Sequence, residues 1–425
     1  MDGQSLAAGR EPKERDAETS ALLCAAQFVG TSVGAVAAHM DWPSPVPLSA
    51  DDDTGTTWQV RRAWPVPTPG DYVLEVQAPG EAGVRGARLR QGRFKLIPPD
   101  DPRLPALRTE AQKGVVVSYR PYRQAVIRAT DRYIKVFQPL RAVIPAERCA
   151  QTDILLNPGT FTTPKILSRS SPGVIVFSPV PGLTMSELGR NGAGVCDAMF
   201  AGAWEKWSLA WIAQQHCRYG RAAQGVLNSL PLHSAEVEAA NVWRRVNGWL
   251  LHNENVPELV PQGTALRTAA GHVSVNLLRT APDPPVWAHG DLHAKQIIAT
   301  GGTSPPGLLD FDSTARAEAA RDLAGLDVHL ELDLRQGLMA PARYLIAHAM
   351  VLAVAEELRV NRGRFDAYAD AIWLRLASSP LPGRFALAIA ALEDRLKRHE
   401  ASAGRTSHSP GPAVISLTSN NRHLA

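Results

Sequence analysis

The sequence predicts an α+β protein with two lobes, a β-rich N-terminal half and a mainly helical C-terminal half. Up to about residue 180, short segments alternate apolar and polar residues between Pro and Gly turns, as strands with one buried face do. Beyond that point, long stretches place apolar residues three and four apart, which is typical of amphipathic helices. A chain of 425 residues can form two or three packed units, and a cleft between lobes is a favoured place for a ligand.

Composition narrows the classes of protein. With 45% hydrophobic and 20% charged residues, the chain reads as globular. The formal net charge is only +4 and basic residues are interspersed with acidic ones, so no nucleic-acid partner is expected. The four cysteines are scattered without a CxxC pair, as in a reduced cytoplasmic protein. The most apolar long stretch, residues 341–358, contains Arg343, His348 and Glu356, so no membrane span is expected either.

One polar segment interrupts the helical half. Residues 285–312 read as a short strand, a polar loop and a hairpin with a Gly-Gly turn. A hairpin of this length can bring Asp291 and Asp310 to the same end, and the amide oxygen of Gln296 belongs to the same loop. Oxygen ligands of this kind hold divalent cations. Phosphoryl transfer to a hydroxyl needs such cations on the phosphates and a carboxylate that receives the proton.

The motifs HGDLHAKQ at residues 289–296 and LLDFD at residues 308–312 resemble the aminoglycoside phosphotransferase and choline kinase superfamily, including its maltokinase-like members. The resemblance implies a bilobal protein-kinase-like fold. It also implies Mg²⁺-assisted transfer of the γ-phosphoryl group from ATP, or GTP, to a hydroxyl of a sugar, aminoglycoside or amino alcohol. Asp291 is then the catalytic base, and Gln296 and Asp310 hold the metal. The family usually has Asn at the position of Gln296, which keeps the amide oxygen on a longer side chain.

Nearby residues are expected to support this loop. RDLAGL at residues 321–326 resembles a family segment in which Asp322 accepts hydrogen bonds from the loop backbone. His289 and His293 have the spacing of a zinc site on a helix, but Gly290 and the preceding strand argue against a helix, so bracing by hydrogen bonds is expected. Asp312 is either a second metal carboxylate or a cap of the following turn, and the cap is favoured.

The β-rich half is expected to bind the nucleotide. Lys135 lies on a strand between two apolar residues, so its side chain points away from theirs. The resemblance places such a lysine at the α and β phosphates, and the alternative is a solvated surface lysine. Its acidic partner is expected on the following helix, with Glu147 preferred and Asp153 second.

No GxGxxG loop precedes Lys135, and residues 118–128 take its place. Arg120 and Arg123 are therefore candidate phosphate contacts. The segment VIVFSPVPGL at residues 174–183 resembles the hinge of the family, where the backbone from Phe177 to Val180 faces the adenine.

The acceptor is less well defined by the sequence. Asp327 and Glu331 are four residues apart and would suit a cationic acceptor, although a solvated helix face explains them as well. Some of the ten tryptophans could stack on a sugar, but at helical spacing they are expected in the core. A second function from another class is a nucleotide-binding pseudokinase with a regulatory or partner-binding role.

These interpretations divide the chain into five parts. The sequence predicts disordered ends and three folded units between them. The five parts are a disordered N-terminus (1–19), a β-rich cap (20–106), a nucleotide-binding lobe (107–180), a helical lobe with the catalytic hairpin (181–401) and a disordered tail (402–425).

Overall fold

The computed structural model describes residues 43–170, 173–190 and 194–403, with side chains described as far as residue 395. The predicted disordered segments lie outside these residues, except that the last helix ends at Ala403. The α+β class is confirmed, and so is the order of a β-rich half followed by a helical half. Within the described residues, no helix is both long and apolar enough to cross a membrane.

The cap is an antiparallel sheet of five strands in the order β1-β2-β3-β4-β5. The strands are β1 (Ser49–Asp51), β2 (Thr57–Pro65), β3 (Tyr72–Gln77), β4 (Arg85–Arg90) and β5 (Arg93–Leu96). Gln91 and Gly92 join β4 to β5, and both have positive φ. Turns of this hand match the twist of an antiparallel pair, so the Gly is where the backbone requires it.

The N-lobe forms a second sheet of five strands, in the order β6-β7-β8-β10-β9. Its elements are α1 (Leu107–Ala111), β6 (Val115–Arg120), β7 (Gln124–Arg128), β8 (Tyr133–Phe137), α2 (Val143–Leu155), β9 (Ile166–Ser170) and β10 (Val174–Phe177). Alternation along β8 buries Ile134 and Val136. Lys135, between them, therefore projects from the opposite face of the strand.

The helical lobe follows, with two small sheets set among its helices. Its helices are α3 (Met185–Gly189), α4 (Asp197–Gln215), α5 (Arg221–Ser229), α6 (Ala235–Asn253), α7 (Val260–Arg279), α8 (Ala319–Arg335), α9 (Pro341–Glu357), α10 (Arg362–Ala377) and α11 (Arg384–Ala403). Its strands are β11 (Leu183–Thr184), β12 (Leu232–His233), β13 (Pro285–Ala288), β14 (Ile297–Ala299), β15 (Gly307–Leu308) and β16 (Ala315–Glu318). One sheet runs β11-β14-β15 and the other β12-β16-β13, and the predicted catalytic loop connects β13 of the second sheet to β14 of the first.

The tryptophans of α4 form part of the core of the helical lobe. Trp204, Trp207 and Trp211 are at most 1% exposed, and their spacing puts them on one helix face. The ring centroids of Trp207 lie 5.3 Å from those of Trp204 and 5.8 Å from those of Trp211. The prediction that these residues are core is confirmed, and they are not available to stack on a sugar.

Truncating the central ring of this stack is expected to be costly. Trp207→Ala should lower the free energy of unfolding by about 3–5 kcal/mol, since it removes a buried aromatic and leaves a cavity. Urea unfolding followed by circular dichroism measures the change. Trp243→Ala is the control, because Trp243 is 37% exposed and its loss should cost much less. Equal losses for the two variants would contradict this assignment.

The cap is fastened to both lobes. The backbone N–H of Tyr119 in β6 donates to Glu75 Oε2 of β3 at 2.6 Å. On the other side, the Tyr72 hydroxyl lies 3.1 Å from Asn253 Oδ1 at the end of α6. Leu381, just before α11, packs against the apolar core of the cap. The cap thus bridges the lobes instead of extending from one of them.

Candidate active site

The loop that follows β13 is held by a buried carboxylate. Asp322, 3% exposed at the start of α8, accepts the backbone N–H groups of His289 at 2.5 Å and Gly290 at 3.0 Å. Gly290 has φ 85°, and a Cβ there would lie 2.0 Å from the carbonyl oxygen of Ser313. Only glycine therefore fits this position. The contact that the resemblance implies for Asp322 is present in the structure.

Arg321 also supports the loop, which sequence reasoning missed. Its Nη1 donates to the carbonyl oxygen of Gly290 at 2.8 Å. Adjacent residues of one helix thus bind both backbone groups of Gly290, since Asp322 accepts its N–H. Its guanidinium also lies 3.7 Å from the buried carboxylate of Glu238. The only signal for this role in the sequence is that Arg321 directly precedes Asp322.

The two histidines of the loop have different positions. His289 is fully buried, and its Nε2 lies 2.7 Å from the carbonyl oxygen of Leu309, which ties the loop to the hairpin. His293 Nε2 lies 4.0 Å from Oδ2 of Asp291, whose side chain is 47% exposed. Within the described ranges, no group of three or more His, Cys, Asp or Glu side chains could hold a metal ion. The histidine pair therefore forms no zinc site of that kind.

Four predicted site residues meet across the cleft. Lys135 Nζ of the N-lobe lies 2.7 Å from Asp310 Oδ1 and 3.2 Å from Asp312 Oδ2 of the helical lobe. Gln296 Nε2 lies 3.3 Å from the other oxygen of Asp310. Asp310 adopts a left-handed backbone conformation, φ 63° and ψ 69°, which is uncommon outside glycine and tends to occur at functional sites. The loop after β13 and the end of β15 are thus brought to one place beneath the N-lobe.

Two expectations about this cluster are wrong. Lys135 pairs with carboxylates of the other lobe, whereas Glu147 is exposed on α2 and Asp153 pairs with Lys165 at 2.8 Å. The physical reason is that β8 directs Lys135 into the cleft, where two carboxylates neutralise it. Asp312 does not cap the turn: Oδ2 faces Lys135, and its buried Oδ1 has no hydrogen-bond partner.

The charges in this cluster depend on one another. Burial alone would lower the pKa of Lys135, but the Asp310 and Asp312 carboxylates outweigh it and raise that pKa above its usual value. Burial would likewise raise the pKa of Asp310, yet the Lys135 ammonium holds it below its usual range. For Asp312 burial prevails and the pKa is raised. The lysine is therefore charged and Asp310 ionised at neutral pH.

The residues at this point fit a magnesium ion. Mg²⁺ is held in proteins by one or two carboxylates together with substrate phosphates. Asp310 supplies one carboxylate, and Asp312 Oδ1 is a second oxygen that lacks a protein partner. Gln296 turns its amide nitrogen toward Asp310, and a 180° rotation of the amide group presents its oxygen instead. No backbone movement is needed for that exchange.

The remaining residues that the sequence predicts at the nucleotide are two hinge residues and two arginines, and the structure places each pair differently. The ring of Phe177 lies beneath the Lys135 ammonium, 5.7 Å from its nitrogen, and Val180 lies beside Gly307 at the hinge. Arg120 stacks on Trp64 of the cap at 5.3 Å, so its guanidinium is directed to the cap. This contact does not favour Arg120 as a phosphate ligand. Arg123 contributes backbone hydrogen bonds to the β6–β7 turn, with its N–H donating to the carbonyl oxygen of Arg120.

Asp327 and Glu331 belong to the interior, so both interpretations offered for them are wrong. They are 4% and 7% exposed, which excludes a solvated helix face. Asp327 Oδ1 lies 2.5 Å from His348 Nδ1, and Glu331 is bound by Arg335 at 2.6 Å. Both carboxylates are thus neutralised by neighbours on the packed helices and cannot bind a cationic acceptor.

The His348–Asp327 pair should make stability depend on pH. Burial lowers the pKa of His348, but the adjacent Asp327 carboxylate outweighs it and raises that pKa above its usual value. A histidine whose pKa is higher in the folded than in the unfolded state stabilises the folded protein. This stabilisation is complete at pH values below the pKa of the unfolded state, about 6.5, and is lost as the pH rises through the pKa of the folded state. We expect His348→Gln to remove this part of the pH dependence in urea unfolding between about pH 5 and 8. An unchanged pH profile would contradict the pairing.

Comparison with known proteins agrees with this geometry. Residues 208–326 match the model of the phosphotransferase enzyme family, and this segment contains Asp291, Gln296 and Asp310. A search of curated proteins found no match. The resemblance predicted from the motifs is thereby confirmed, and so is the class of enzyme, a small-molecule phosphotransferase with a hydroxyl acceptor.

Solved structures of phosphotransferases are similar to this chain at low identity. An aminoglycoside phosphotransferase from Streptomyces rimosus is 19% identical with a TM-score of 0.40, and the match covers 59% of this chain and 89% of that one. An aminoglycoside-3'-phosphotransferase of type VIII is 18% identical with a TM-score of 0.46, and the match covers 65% of this chain and 99% of that one. An ethanolamine kinase from Plasmodium vivax is 14% identical with a TM-score of 0.41, and the match covers 65% of this chain and 80% of that one.

Proposed function

We propose that this enzyme transfers the γ-phosphoryl group of ATP or GTP to a hydroxyl of a small molecule in the cleft between its lobes. In this proposal Asp291 is the catalytic base, Gln296 and Asp310 hold Mg²⁺, and Lys135 contacts the nucleotide phosphates. Sugars, aminoglycosides and amino alcohols are the acceptor classes that the resemblance implies. The partner is a small molecule in each case, not a nucleic acid or a membrane.

One observation supports the proposal more than any other. Lys135 of the N-lobe meets Asp310 of the helical lobe at 2.7 Å, although 175 positions separate them in the chain. Asp310 in turn contacts Gln296, five positions after Asp291 on one braced loop. These contacts support the proposal because they join an ammonium group to metal-type oxygen ligands, and because Asp291 belongs to the same loop as Gln296. Phosphoryl transfer depends on positioning and on electrostatic stabilisation of just these kinds.

The proposed reaction balances as follows. The acceptor hydroxyl oxygen forms a bond to the γ-phosphorus, and its proton passes to the carboxylate of Asp291. The bond between the γ-phosphorus and the bridging β–γ oxygen breaks, and the nucleoside diphosphate leaves with the electron pair. Lys135 neutralises the charge that develops on the leaving phosphates. A bound Mg²⁺ would supply additional charge neutralisation and orient the triphosphate.

A screen of phosphate transfer tests the proposal. Labelled ATP and GTP are offered with sugars, aminoglycosides, amino alcohols and nucleosides, and transfer to at least one class is expected. Stabilisation by Mg-ATP in a thermal-shift measurement without transfer to any acceptor would contradict the catalytic proposal and favour a nucleotide-binding pseudokinase. No response to nucleotide at all would contradict both and indicate a structural or partner-binding module.

A further inference from the structure

A large cavity lies between the cap and the helical lobe, beside the catalytic loop. Its volume is about 750 Å³, within the range of 300–1,000 Å³ that is usual for small-molecule sites. Strands β2 and β3 form one wall, while the loop at residues 293–295, helix α8 and the start of α11 form the other. His293 lines the cavity, and its Nε2 lies 4.0 Å from Asp291 Oδ2. The cavity therefore begins one side chain away from the proposed base.

The lining of this cavity is strongly cationic. Five basic side chains line it, namely Arg61, Arg62, Arg190, Lys295 and Arg384. The two lining carboxylates do not balance them. Glu75 is engaged, since it accepts the N–H of Tyr119 at 2.6 Å and pairs with Arg62 at 3.3 Å. Burial raises the pKa of the other, Asp333, above its usual value.

Three of these cations, Arg190, Lys295 and Arg384, share Asp333 as a single acidic neighbour. Among the described residues, no carboxylate oxygen comes within 4.0 Å of the basic groups of Arg61, Arg190, Lys295 or Arg384. Like charges gathered in a partly enclosed space repel one another and raise the local concentration of anions. Arginine and lysine also form stronger hydrogen bonds with carboxylate, phosphate or sulfate than with neutral groups. The unmatched charge therefore points to an anionic ligand.

Arg384 gives a second, independent indication. It is the first residue of α11, a helix of 20 residues whose N-terminus carries the positive end of the helix dipole. A cation at that end is unfavourable for the helix, and burial also lowers the pKa of Arg384. An anion bound in the cavity would offset both costs, because it would interact favourably with the guanidinium and with the helix terminus. Within the protein, the Asp333 carboxylate opposes the effect of burial on the pKa of Arg384.

The remaining polar lining suits hydroxyl groups. Burial, followed by the neighbouring His293, holds the pKa of His329 well below its usual value. The centroids of the His293 and His329 rings are 5.3 Å apart. Burial lowers the pKa of His293 as well. A neutral imidazole has one donor and one acceptor nitrogen, so the pair can bind the hydroxyls of a polyol.

We propose that the acceptor is a hydroxylated small molecule that bears a carboxylate, phosphate or sulfate group, and that the cavity beneath the cap binds this group beside the catalytic loop. The inference rests on the proposed function, because it assigns the acceptor of that reaction. It also gives the cap a role, since Arg61 and Arg62 of β2 complete the cationic wall. The cationic acceptors suggested by Asp327 and Glu331 are the opposite class.

Binding of inorganic anions tests the cavity without turnover. Sulfate and phosphate are titrated by calorimetry into the full-length wild type and into Arg384→Gln, and the variant should bind about tenfold more weakly, since it loses a charged hydrogen-bond donor. The helix dipole favours removal of this cation, whereas loss of its interaction with Asp333 opposes it, so urea unfolding of Arg384→Gln is measured beside the titration to show that the variant is folded. Lys95→Gln is the matched control, an exposed cation on the cap that does not line the cavity. Equal anion affinity in all three proteins would overturn the proposal.

Acceptors that differ only in charge test the reaction itself. Glucose, glucosamine, glucuronate and glucose 6-phosphate form one such series, and matched acidic members are added for every other acceptor found active. We expect the acidic member to have the lower KM and Arg384→Gln to raise that KM, with Lys95→Gln unchanged. Preference for neutral or cationic members, unaffected by Arg384→Gln, would overturn the inference and leave the phosphotransferase proposal standing. If no acceptor is phosphorylated, the proposed function fails, and the anion titration still decides the cavity. Carboxylate and phosphate members of the series distinguish the two sources of charge.

Discussion

Replacement of Asp291 by Asn should lower the rate of phosphoryl transfer by about 10²–10⁴-fold, the contribution typical of a positioned general base. The amide keeps the size of the side chain but cannot take the acceptor's proton. The side chain of Asp291 is 47% exposed, and the backbone of its loop is held by Asp322 and Arg321. The variant should therefore fold normally and bind Mg-ATP with unchanged affinity.

Steady-state kinetics and a nucleotide titration separate these effects. Loss in kcat with retained nucleotide binding is the expected pattern for a group that acts on the acceptor in the transition state. Asp131→Asn serves as the control, since Asp131 is an exposed carboxylate paired with Arg132 outside the site. An Asp291→Asn protein that transfers phosphate at the wild-type rate would contradict the assignment of the base.

Asp310→Asn should abolish most activity by a different route. Loss of a metal ligand removes several kcal/mol of charge stabilisation from the transition state, which corresponds to roughly 10³-fold in rate. Asparagine tolerates the left-handed backbone that Asp310 adopts, so the turn should keep its shape. The distinguishing feature is the dependence on metal: activity should require a much higher Mg²⁺ concentration than in the wild type.

Activity measured against Mg²⁺ concentration decides this prediction. Asp131→Asn again serves as the control, and its Mg²⁺ dependence should match that of the wild type. The Asp291→Asn variant provides a second comparison, because it should lose rate without a change in the Mg²⁺ requirement. Asp310→Asn with the wild-type Mg²⁺ requirement would show that the metal is not held there.

Much of the fold could be predicted from local pattern. The alternation around Lys135 predicts its strand and the direction of its side chain, and the helical spacing of the tryptophans in α4 predicts their burial. The contact between Asp322 and the catalytic loop was also predictable, but only through the family resemblance. Local periodicity gives no partner for a buried carboxylate.

Predictions failed where the answer depends on how distant elements close on one another. The sequence predicts the partner of Lys135 on the next helix, but the fold brings Lys135 to Asp310 of the other lobe. The pattern of α8 alone does not reveal the partner of Asp327, because His348 lies on α9. Glu331 is a different case, because its partner Arg335 lies four residues further along the same helix. A spacing of four residues can be recognised in the sequence.

The cavity beneath the cap also depends on elements that are distant in the chain. Its cations come from four separated parts of the chain: Arg61 and Arg62 on β2, Arg190 after α3, Lys295 on the catalytic loop and Arg384 on α11. No pattern within one of these segments distinguishes a cavity-lining cation from a solvated one. The packing of the helical lobe brings three of them together, and the position of the cap against that lobe adds the two arginines of β2.

In the proposed reaction, Asp310, Gln296 and Lys135 together receive a metal–triphosphate in the cleft above Asp291. A crystal structure with Mg²⁺ and a non-hydrolysable ATP analogue tests this most directly. We expect a cation bound by the Asp310 carboxylate and the Gln296 amide oxygen, with Lys135 moved from Asp310 to the α and β phosphates. A triphosphate bound elsewhere, or a cation that makes no contact with Asp310, would contradict it.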